Sequence, residues 1–295
     1  MELLILVVQV IASTFRVSTP LLFGALGGLM SERAGVINIA LEGMMLMGAF
    51  GASVTASSTQ SATLGFLGAM GFALGLALLY GFFAIELQVN QIVAGTAMNM
   101  LAAGITPFLC KVLYDSSTST PSLPLAVRAQ TAPILMAWGL PFVIWFWLKK
   151  TPSGLWVRFA GENPEALDAA GIRVKRVRWV AVACSGILAG LGGASLSIFL
   201  SSSFSRNMTA GRGFMALAAL IFGKWRPIPT AVACLLFGLL DSLQIRLQGV
   251  VFWGQTSVPV QLIQVLPYLV TLLVLAGIVG KAKAPQALGV PFMKS

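Results

Sequence analysis

The side chains that most often carry out catalysis are absent or isolated in this sequence of 295 residues. The chain has no histidine, which excludes a Ser-His-Asp or Cys-His nucleophile and a zinc site built on imidazole. Cys110, Cys184 and Cys234 each lie alone in an apolar stretch, so we interpret them as buried apolar residues. The sequence contains no glycine-rich phosphate loop. We therefore expect that the protein is not an enzyme. We also expect that the chain itself binds no metal ion and no cofactor, and that it does not bind ATP.

A second set of polar side chains lies inside long apolar runs, where polar groups are costly without a partner. Asn38 and Glu42 are four residues apart and would share one face of a helix. Asn99 lies about 13 Å into its predicted helix, and Asp241 lies toward the end of another. Asn38, Glu42 and Asn99 either join helices or line a substrate pathway. For Glu42, the first alternative includes capping a neighbouring backbone or pairing with Arg33. Asp241 either belongs to a local polar network, shapes the outer mouth of the pathway or contacts a partner subunit.

The elements that carry these residues are predicted to be membrane-spanning helices. Hydrophobic residues make up 57% of the chain and charged residues 9%, and the mean hydropathy is +0.90. A soluble domain has about a quarter charged residues, whereas a span needs roughly 20 apolar ones. We predict an all-α, polytopic membrane protein that forms one transmembrane domain over residues 1–295. Its ten predicted helices cover residues 3–15, 17–30, 36–56, 62–84, 91–113, 131–148, 179–201, 209–222, 228–247 and 259–279.

The basic residues indicate an orientation. The net charge is +10, which in a membrane protein marks cytoplasmic loops and contacts with anionic headgroups, so we expect no nucleic acid partner. The polar stretch 149–178 is the most basic loop. If it is cytoplasmic, alternation through ten helices places both termini in the cytoplasm. The apolar start of the chain has no cleavage site before Arg16, so we expect a retained helix and not a signal peptide.

Several of the predicted helices are short or interrupted. Residues 209–222 form a half-length candidate, and residues 31–35 look like a break between two packed helices. Such breaks are tolerated in lipid where protein or water covers the free backbone groups. Glycine-rich runs at 24–28 and 190–194 lie in helices of opposite direction, which is compatible with an inverted repeat around a central site.

The loop between the sixth and seventh predicted spans contains a short helix signal. Asn163 can cap a helix that starts at Pro164, Glu165 suits the first turn, and Gly171 ends it after about two turns. Small side chains at Ala166, Ala169 and Ala170 would leave a smooth face. The helix either turns the chain at the surface or docks a partner protein.

Four sequence motifs resemble one family of transport proteins. Residues 161–172 read GENPEALDAAGI, and residues 32–50 read ERAGVINIALEGMMLMGAF. Residues 89–100 read VNQIVAGTAMNM, and residues 241–248 read DSLQIRLQ. Together they resemble the branched-chain amino acid, simple sugar and nucleoside permeases of ABC importers, and in particular the nucleoside branch. The resemblance extends from about residue 20 to about residue 280.

This resemblance implies a membrane subunit of the bacterial cytoplasmic membrane that forms a pathway for a neutral small molecule, a nucleoside. Its implied partners are membrane lipid, a second permease of similar sequence, cytoplasmic ATPases that bind the ATP, and an extracytoplasmic substrate-binding lipoprotein. Residues 153–172, called the coupling segment below, would dock in an ATPase cleft. The coupling residues carried over from the motif are Gly161, Glu162, Asn163, Pro164, Glu165, Asp168, Ala170 and Gly171.

Three other functions stay open from the sequence alone. A sugar permease of the ribose or galactose type has the same architecture, and a branched-chain amino acid permease is further off. An ATP-independent secondary transporter often uses intramembrane acids, and here only Glu42 and Asp241 are candidates. We place no Lys or Arg deep inside the bundle, which favours a neutral substrate.

Overall fold

The computed structural model describes residues 2–247 and 283–292, and within these ranges the regular structure is helical. The helices are α1 Glu2–Arg33, α2 Leu41–Thr59, α3 Ala62–Gly81, α4 Gln91–Tyr114, α5 Ala132–Lys150, α6 Pro152–Glu162, α7 Pro164–Ala169, α8 Val174–Ala194, α9 Arg212–Phe222 and α10 Pro227–Leu247. The helices α3 and α8 continue as π-helical turns over Phe82–Glu86 and Ser195–Leu200, and Leu125–Val127 forms a 3₁₀ turn. The predicted all-α membrane architecture is confirmed for these ranges.

Six stretches of the described chain are long and apolar enough to cross a membrane, and they correspond to α1, α3, α4, α5, α8 and α10. The prediction of separate helices at 3–15 and 17–30 is wrong, because α1 continues through this region as one helix of 32 residues. Arg16 tolerates this position because its guanidinium donates to the Phe199 carbonyl at 3.3 Å and lies over the Phe199 ring. The predicted helix 259–279 lies outside the described residues.

The two ends of the bundle are distinguished by what they carry. One end, called the α7 end, contains the last residue of α1, Arg33, which pairs with Glu162 at the end of α6. Residues 283–292 also pack at this end, where the Ala287 N–H donates to the Gly161 carbonyl. At the other end, called the far end, the loop 115–131 is joined to residues 198–206 by backbone hydrogen bonds. Because α1 is a single helix, Glu2 and residues 283–292 lie at opposite ends. This differs from the alternation of ten helices on which the cytoplasmic placement of both termini was based, and the side that each terminus faces stays a prediction.

The centre of the bundle is packed through glycines. The predicted runs at 24–28 and 190–194 fall in α1 and α8, which pack against each other. A Cβ at Gly48 of α2 would lie 2.6 Å from the Gly190 Cα, and one at Gly193 would overlap the Met45 carbonyl oxygen. Backbones therefore approach closely where α8 meets its neighbours, as is common for membrane helices.

Two helix–break–helix units run in opposite directions. In the first, α1 ends at the α7 end and residues 34–40 lead back into the bundle to the start of α2. In the second, α8 ends toward the far end and residues 201–211 lead back inside to the start of α9. The starts of α2 and α9 meet inside the bundle. This layout agrees with the direction expected for an inverted repeat, although the repeat itself stays a prediction.

Candidate functional site

The meeting point of α2 and α9, called the break junction below, is built around Glu42. The backbone N–H of Gly211 donates to its Oε1 at 2.9 Å, and that of Gly213 donates to its Oε2 at 2.6 Å. The first N–H groups of a helix have no partner within the helix, and the positive end of its dipole attracts a carboxylate. Glu42 therefore caps α9, which is one of the predicted alternatives, whereas Arg33 pairs with Glu162 instead.

Glycine is required at this contact for two reasons. Gly211 has φ +84°, a left-handed conformation that side chains rarely adopt. A Cβ at Gly213 would lie 2.5 Å from the Cα of Glu42. The two helix starts thus come into backbone contact, and the carboxylate can reach both N–H groups at once.

Asn99 of α4 holds the other side of the same junction. Its Oδ1 accepts the N–H of Gly43 at 2.8 Å, and its Nδ2 donates to the carbonyl of Ile39 at 3.0 Å. Both halves of the amide are therefore used on the backbone around the start of α2. Asn99 satisfies groups that the break would otherwise leave without partners inside the membrane.

Asn38 lies before α2 and not on it, so the prediction that it shares a helix face with Glu42 is wrong. The physical reason is the break itself: after Gly35, at φ +89°, the chain is irregular until Leu41. The Asn38 side chain is fully buried, and its Nδ2 donates to the Ser185 hydroxyl of α8 at 2.8 Å. Its Oδ1 has no partner among the described residues.

Two further side chains that the sequence did not single out for this role hold the segment 34–40. The Tyr80 hydroxyl of α3 donates to the carbonyl of Ile37, and Gln91 of α4 accepts the Ile37 N–H through Oε1 at 2.8 Å. Asn90, beside Gln91, caps α4 by accepting the N–H groups of Ile92 and Val93. From the sequence, a polar residue at the start of a helix is predicted to cap that helix. The fold shows instead that the Gln91 side chain contacts the segment 34–40.

Asp241 lies apart from the other three predicted pathway residues. It is half-buried on α10, within electrostatic range of Arg212, the first residue of α9. Arg212 donates through Nη1 to the Met208 carbonyl at 3.4 Å, and its position contradicts the expectation that no Lys or Arg lies deep in the bundle. Glu42, Arg212 and Asp241 thus form a row of alternating charge that passes the start of α9.

The coupling segment folds as two capped helices. The Thr151 hydroxyl accepts the N–H of Gly154 at the start of α6, and Asn163 accepts the N–H of Ala166 through Oδ1 at 3.0 Å at the start of α7. Gly171, at φ +81°, follows the end of α7. The predicted cap and stop are therefore present, but α7 has six residues and is shorter than two turns, and α6 was not predicted.

The exposed surface of this segment and its anchor are formed by different residues. Leu167 is buried and packs with Ala160 and Val174, which fixes α7 to α6 and α8. Gly161 is also buried, and a Cβ there would overlap the Arg33 carbonyl oxygen, so it serves packing and not an exposed contact. Pro164 and Asp168 are half-buried. The exposed residues of the predicted set are Glu162, Asn163, Glu165, Ala170 and Gly171.

The comparisons with known proteins match almost the whole chain. The family model described as "Branched-chain amino acid transport system / permease component" matches residues 10–275. The chain belongs to this permease family. It is therefore a multi-pass membrane protein, in agreement with its six apolar spans.

The relatives include transporter subunits from bacteria and an archaeon. The guanosine ABC transporter permease protein NupQ of Bacillus subtilis is 37% identical, with 97% of this chain and 96% of NupQ covered. The nucleoside ABC transporter permease protein NupC of Lactococcus lactis is also 37% identical, with 97% of each chain covered. The putative glucose ABC transporter permease protein TsgC13 of Haloferax volcanii is 36% identical, with 90% of this chain and 89% of TsgC13 covered.

Proposed function

We propose that this chain is a transmembrane subunit of an ATP-driven ABC importer and forms the pathway for nucleosides. The observation that carries the proposal is the near-complete match to two permeases named for guanosine and nucleoside transport. The capped, exposed α7 supports the mechanism, because a short rigid helix beside the spans can transmit movement from an ATPase to the bundle. The similarity to TsgC13, which is named as a putative glucose permease, makes sugars the second candidate substrate class.

The orientation follows from the distribution of basic residues between the two ends. Basic side chains accumulate in cytoplasmic loops. At the α7 end lie Arg33, Lys149, Lys150, Arg158, Arg173, Lys175, Arg176, Arg178, Lys224, Arg226 and Lys283, and at the far end lie Arg16, Lys111, Arg128, Arg206 and Arg246. The α7 end is therefore assigned to the cytoplasm, where ATPases dock, and the far end to the side where a substrate-binding protein delivers nucleoside.

The proposed pathway residues differ in how available they are. Asn38, Glu42 and Asn99 already bond to neighbouring segments, so their proposed contribution is to fix the shape of the break junction beside the pathway. Asp241 and Arg212 have more freedom to meet a passing polar solute. The proximity of their opposite charges supports a neutral substrate even though a cation lies deep in the bundle.

The test is transport by the assembled importer. The chain is coexpressed with the proposed partners, an ABC ATPase, a second permease and a substrate-binding protein from the same organism, and the complex is purified through a tag on this chain. We expect the ATPase and the second permease to copurify, and proteoliposomes to accumulate labelled guanosine in an ATP-dependent manner. Faster uptake of labelled glucose or ribose would shift the substrate to sugars. Uphill uptake by this chain alone would overturn the proposal.

A further inference from the structure

A cavity of about 400 Å³ opens at the α7 end between α1, α5, α6 and the start of α10. Four basic side chains from these elements converge on it: Arg33, Lys149, Arg158 and Arg226. Trp145 completes the rim, with the Lys149 ammonium 5.1 Å from the centre of its ring. This concentration of cations has to be balanced by something, because like charges repel each other.

Among the described residues, only one of these four charges is paired with an acidic side chain. The sequence contains nine acidic residues, and all of them lie in the described range 2–247. Within that range only Glu162 forms an ion pair with one of the four cations, accepting from the Arg33 Nη1 at 3.3 Å. The other pairs, Lys175–Glu86 and Lys111–Asp115, lie elsewhere. The Nε of Arg33 is buried without a hydrogen-bond partner among the described residues.

The backbone positions of two of these cations are fixed by a buried contact. The Trp225 indole N–H donates to the Glu32 carboxylate at 2.6 Å, and both side chains are almost fully buried. Glu32 directly precedes Arg33 in the chain, and Trp225 directly precedes Arg226. The contact therefore holds the end of α1 against the turn before α10 and keeps the two arginines beside the same cavity.

Below the cations the groove becomes apolar. On α5, Phe142 lies one turn from Trp145 toward the far end, and its side chain is 63% exposed. On α10, Val232 lies one turn from Ile228 at the cavity and is 61% exposed. Residues three or four apart on a helix share a face, so each helix presents an apolar track that leads away from the cavity. The acyl chain of a lipid whose headgroup lies in the cavity would extend along these two tracks, which a free anion would not reach.

We propose that this groove is a binding site for an anionic phospholipid, whose phosphate headgroup lies among Arg33, Lys149, Arg158 and Arg226 and whose acyl chain lies between α5 and α10. Guanidinium groups bind phosphate oxygens through charge-assisted hydrogen bonds, and basic pockets between membrane helices on the cytoplasmic side favour such headgroups. The bound lipid would stabilise the contact between α1 and α10 next to the coupling segment.

The test is lipid binding to the full-length chain after removal of endogenous lipid in detergent. Phosphatidylglycerol and phosphatidylcholine with identical acyl chains are titrated and counted by native mass spectrometry. We expect phosphatidylglycerol to bind about tenfold more tightly, and Arg158→Gln with Arg226→Gln to remove that preference, because the loss of a charge-assisted hydrogen bond weakens binding by about tenfold or more. The single variant Lys149→Gln tests the same lipid preference at an exposed position, where the substitution carries little risk to folding.

The matched control is Arg173→Gln with Arg176→Gln, which removes the same charge from another cavity at the same end. We expect it to retain the lipid preference. Equal binding of the two lipids, or an equal loss in the control, would overturn the proposal. Competition with inorganic phosphate distinguishes the source of the ligand, since displacement of the lipid at equal affinity would assign the site to a free anion and also overturn it.

Discussion

One carboxylate inside the bundle, Glu42, determines how α9 begins. The half-helix α9 has 11 residues and starts within the bundle, and its first N–H groups have no partner inside the helix. Glu42 supplies two acceptor oxygens at 2.9 and 2.6 Å. The sequence predicted that Glu42 is important and offered capping as one role. It could not identify the partner, because Gly211 and Gly213 lie about 170 positions away in the chain.

Replacing Glu42 should therefore destabilise the break junction. Glu42→Ala leaves two part-buried N–H groups without their acceptors, at a cost of up to about 1–3 kcal/mol each. Glu42→Gln keeps one acceptor oxygen but loses the charge, so we expect an intermediate loss. The free energy of unfolding in detergent measures both effects. Glu165→Ala is the control, since that carboxylate is exposed and forms no ion pair among the described residues. If Glu42→Ala unfolds like the control, the capping role is wrong.

At the scale of elements, local signals worked where the interaction is local. The stop at Gly171 and the cap at Asn163 were readable, because a cap is formed by residues within one turn. The continuity of α1 could not be predicted from the sequence. A charged residue such as Arg16 indicates the end of a membrane helix, and its stabilising contact with Phe199 is seen only in the fold. The segment 34–40 was likewise hidden, since its hydrogen bonds come from Tyr80, Gln91 and Ser185 on other helices.

The close packing of α8 against α2 gives a prediction for Gly193→Ala. The added methyl group would overlap the Met45 carbonyl oxygen, which belongs to a helix backbone and cannot rotate away. We expect a loss of about 1–3 kcal/mol in the free energy of unfolding, as for other overpacked cores. Gly104→Ala is matched in chemistry but meets no atom within 4 Å, so it should be neutral or slightly stabilising. Similar unfolding curves for the two variants would contradict this packing.

The charges on α7 give a prediction about energy coupling. Glu165 is exposed, Asp168 is half-buried, and neither forms an ion pair within the described part of the chain, so their reversal should leave the fold intact. In the assembled importer, Glu165→Lys with Asp168→Lys should keep ATP hydrolysis but abolish its stimulation of nucleoside uptake. Asp115→Lys at the far end is the control. Normal uptake per ATP hydrolysed in the double variant would refute the docking role of α7.

At the scale of the whole molecule, the single α1 reverses the position of the N-terminus. With ten alternating helices both termini share one side, but with α1 as one crossing, Glu2 lies at the far end while residues 283–292 pack on Gly35 and Gly161 at the α7 end. The same change places the break junction between two units of opposite direction. In the proposed importer, the α7 end would meet the ATPases and the far end would receive substrate, with Glu42, Arg212 and Asp241 between the two ends.

This topology predicts which positions a membrane-impermeant maleimide reaches in intact cells. In a parent without cysteine, Ile5→Cys and Ser117→Cys should be labelled from outside, because both lie toward the far end and Ile5 is 50% exposed. Glu165→Cys and Ala284→Cys are exposed at the α7 end and should react only after lysis. The four variants control for one another, since each pair tests one end. If both Ile5→Cys and Ala284→Cys are protected from labelling in intact cells, the prediction is wrong. Residues 2–33 would then cross the membrane twice, with the N-terminus in the cytoplasm.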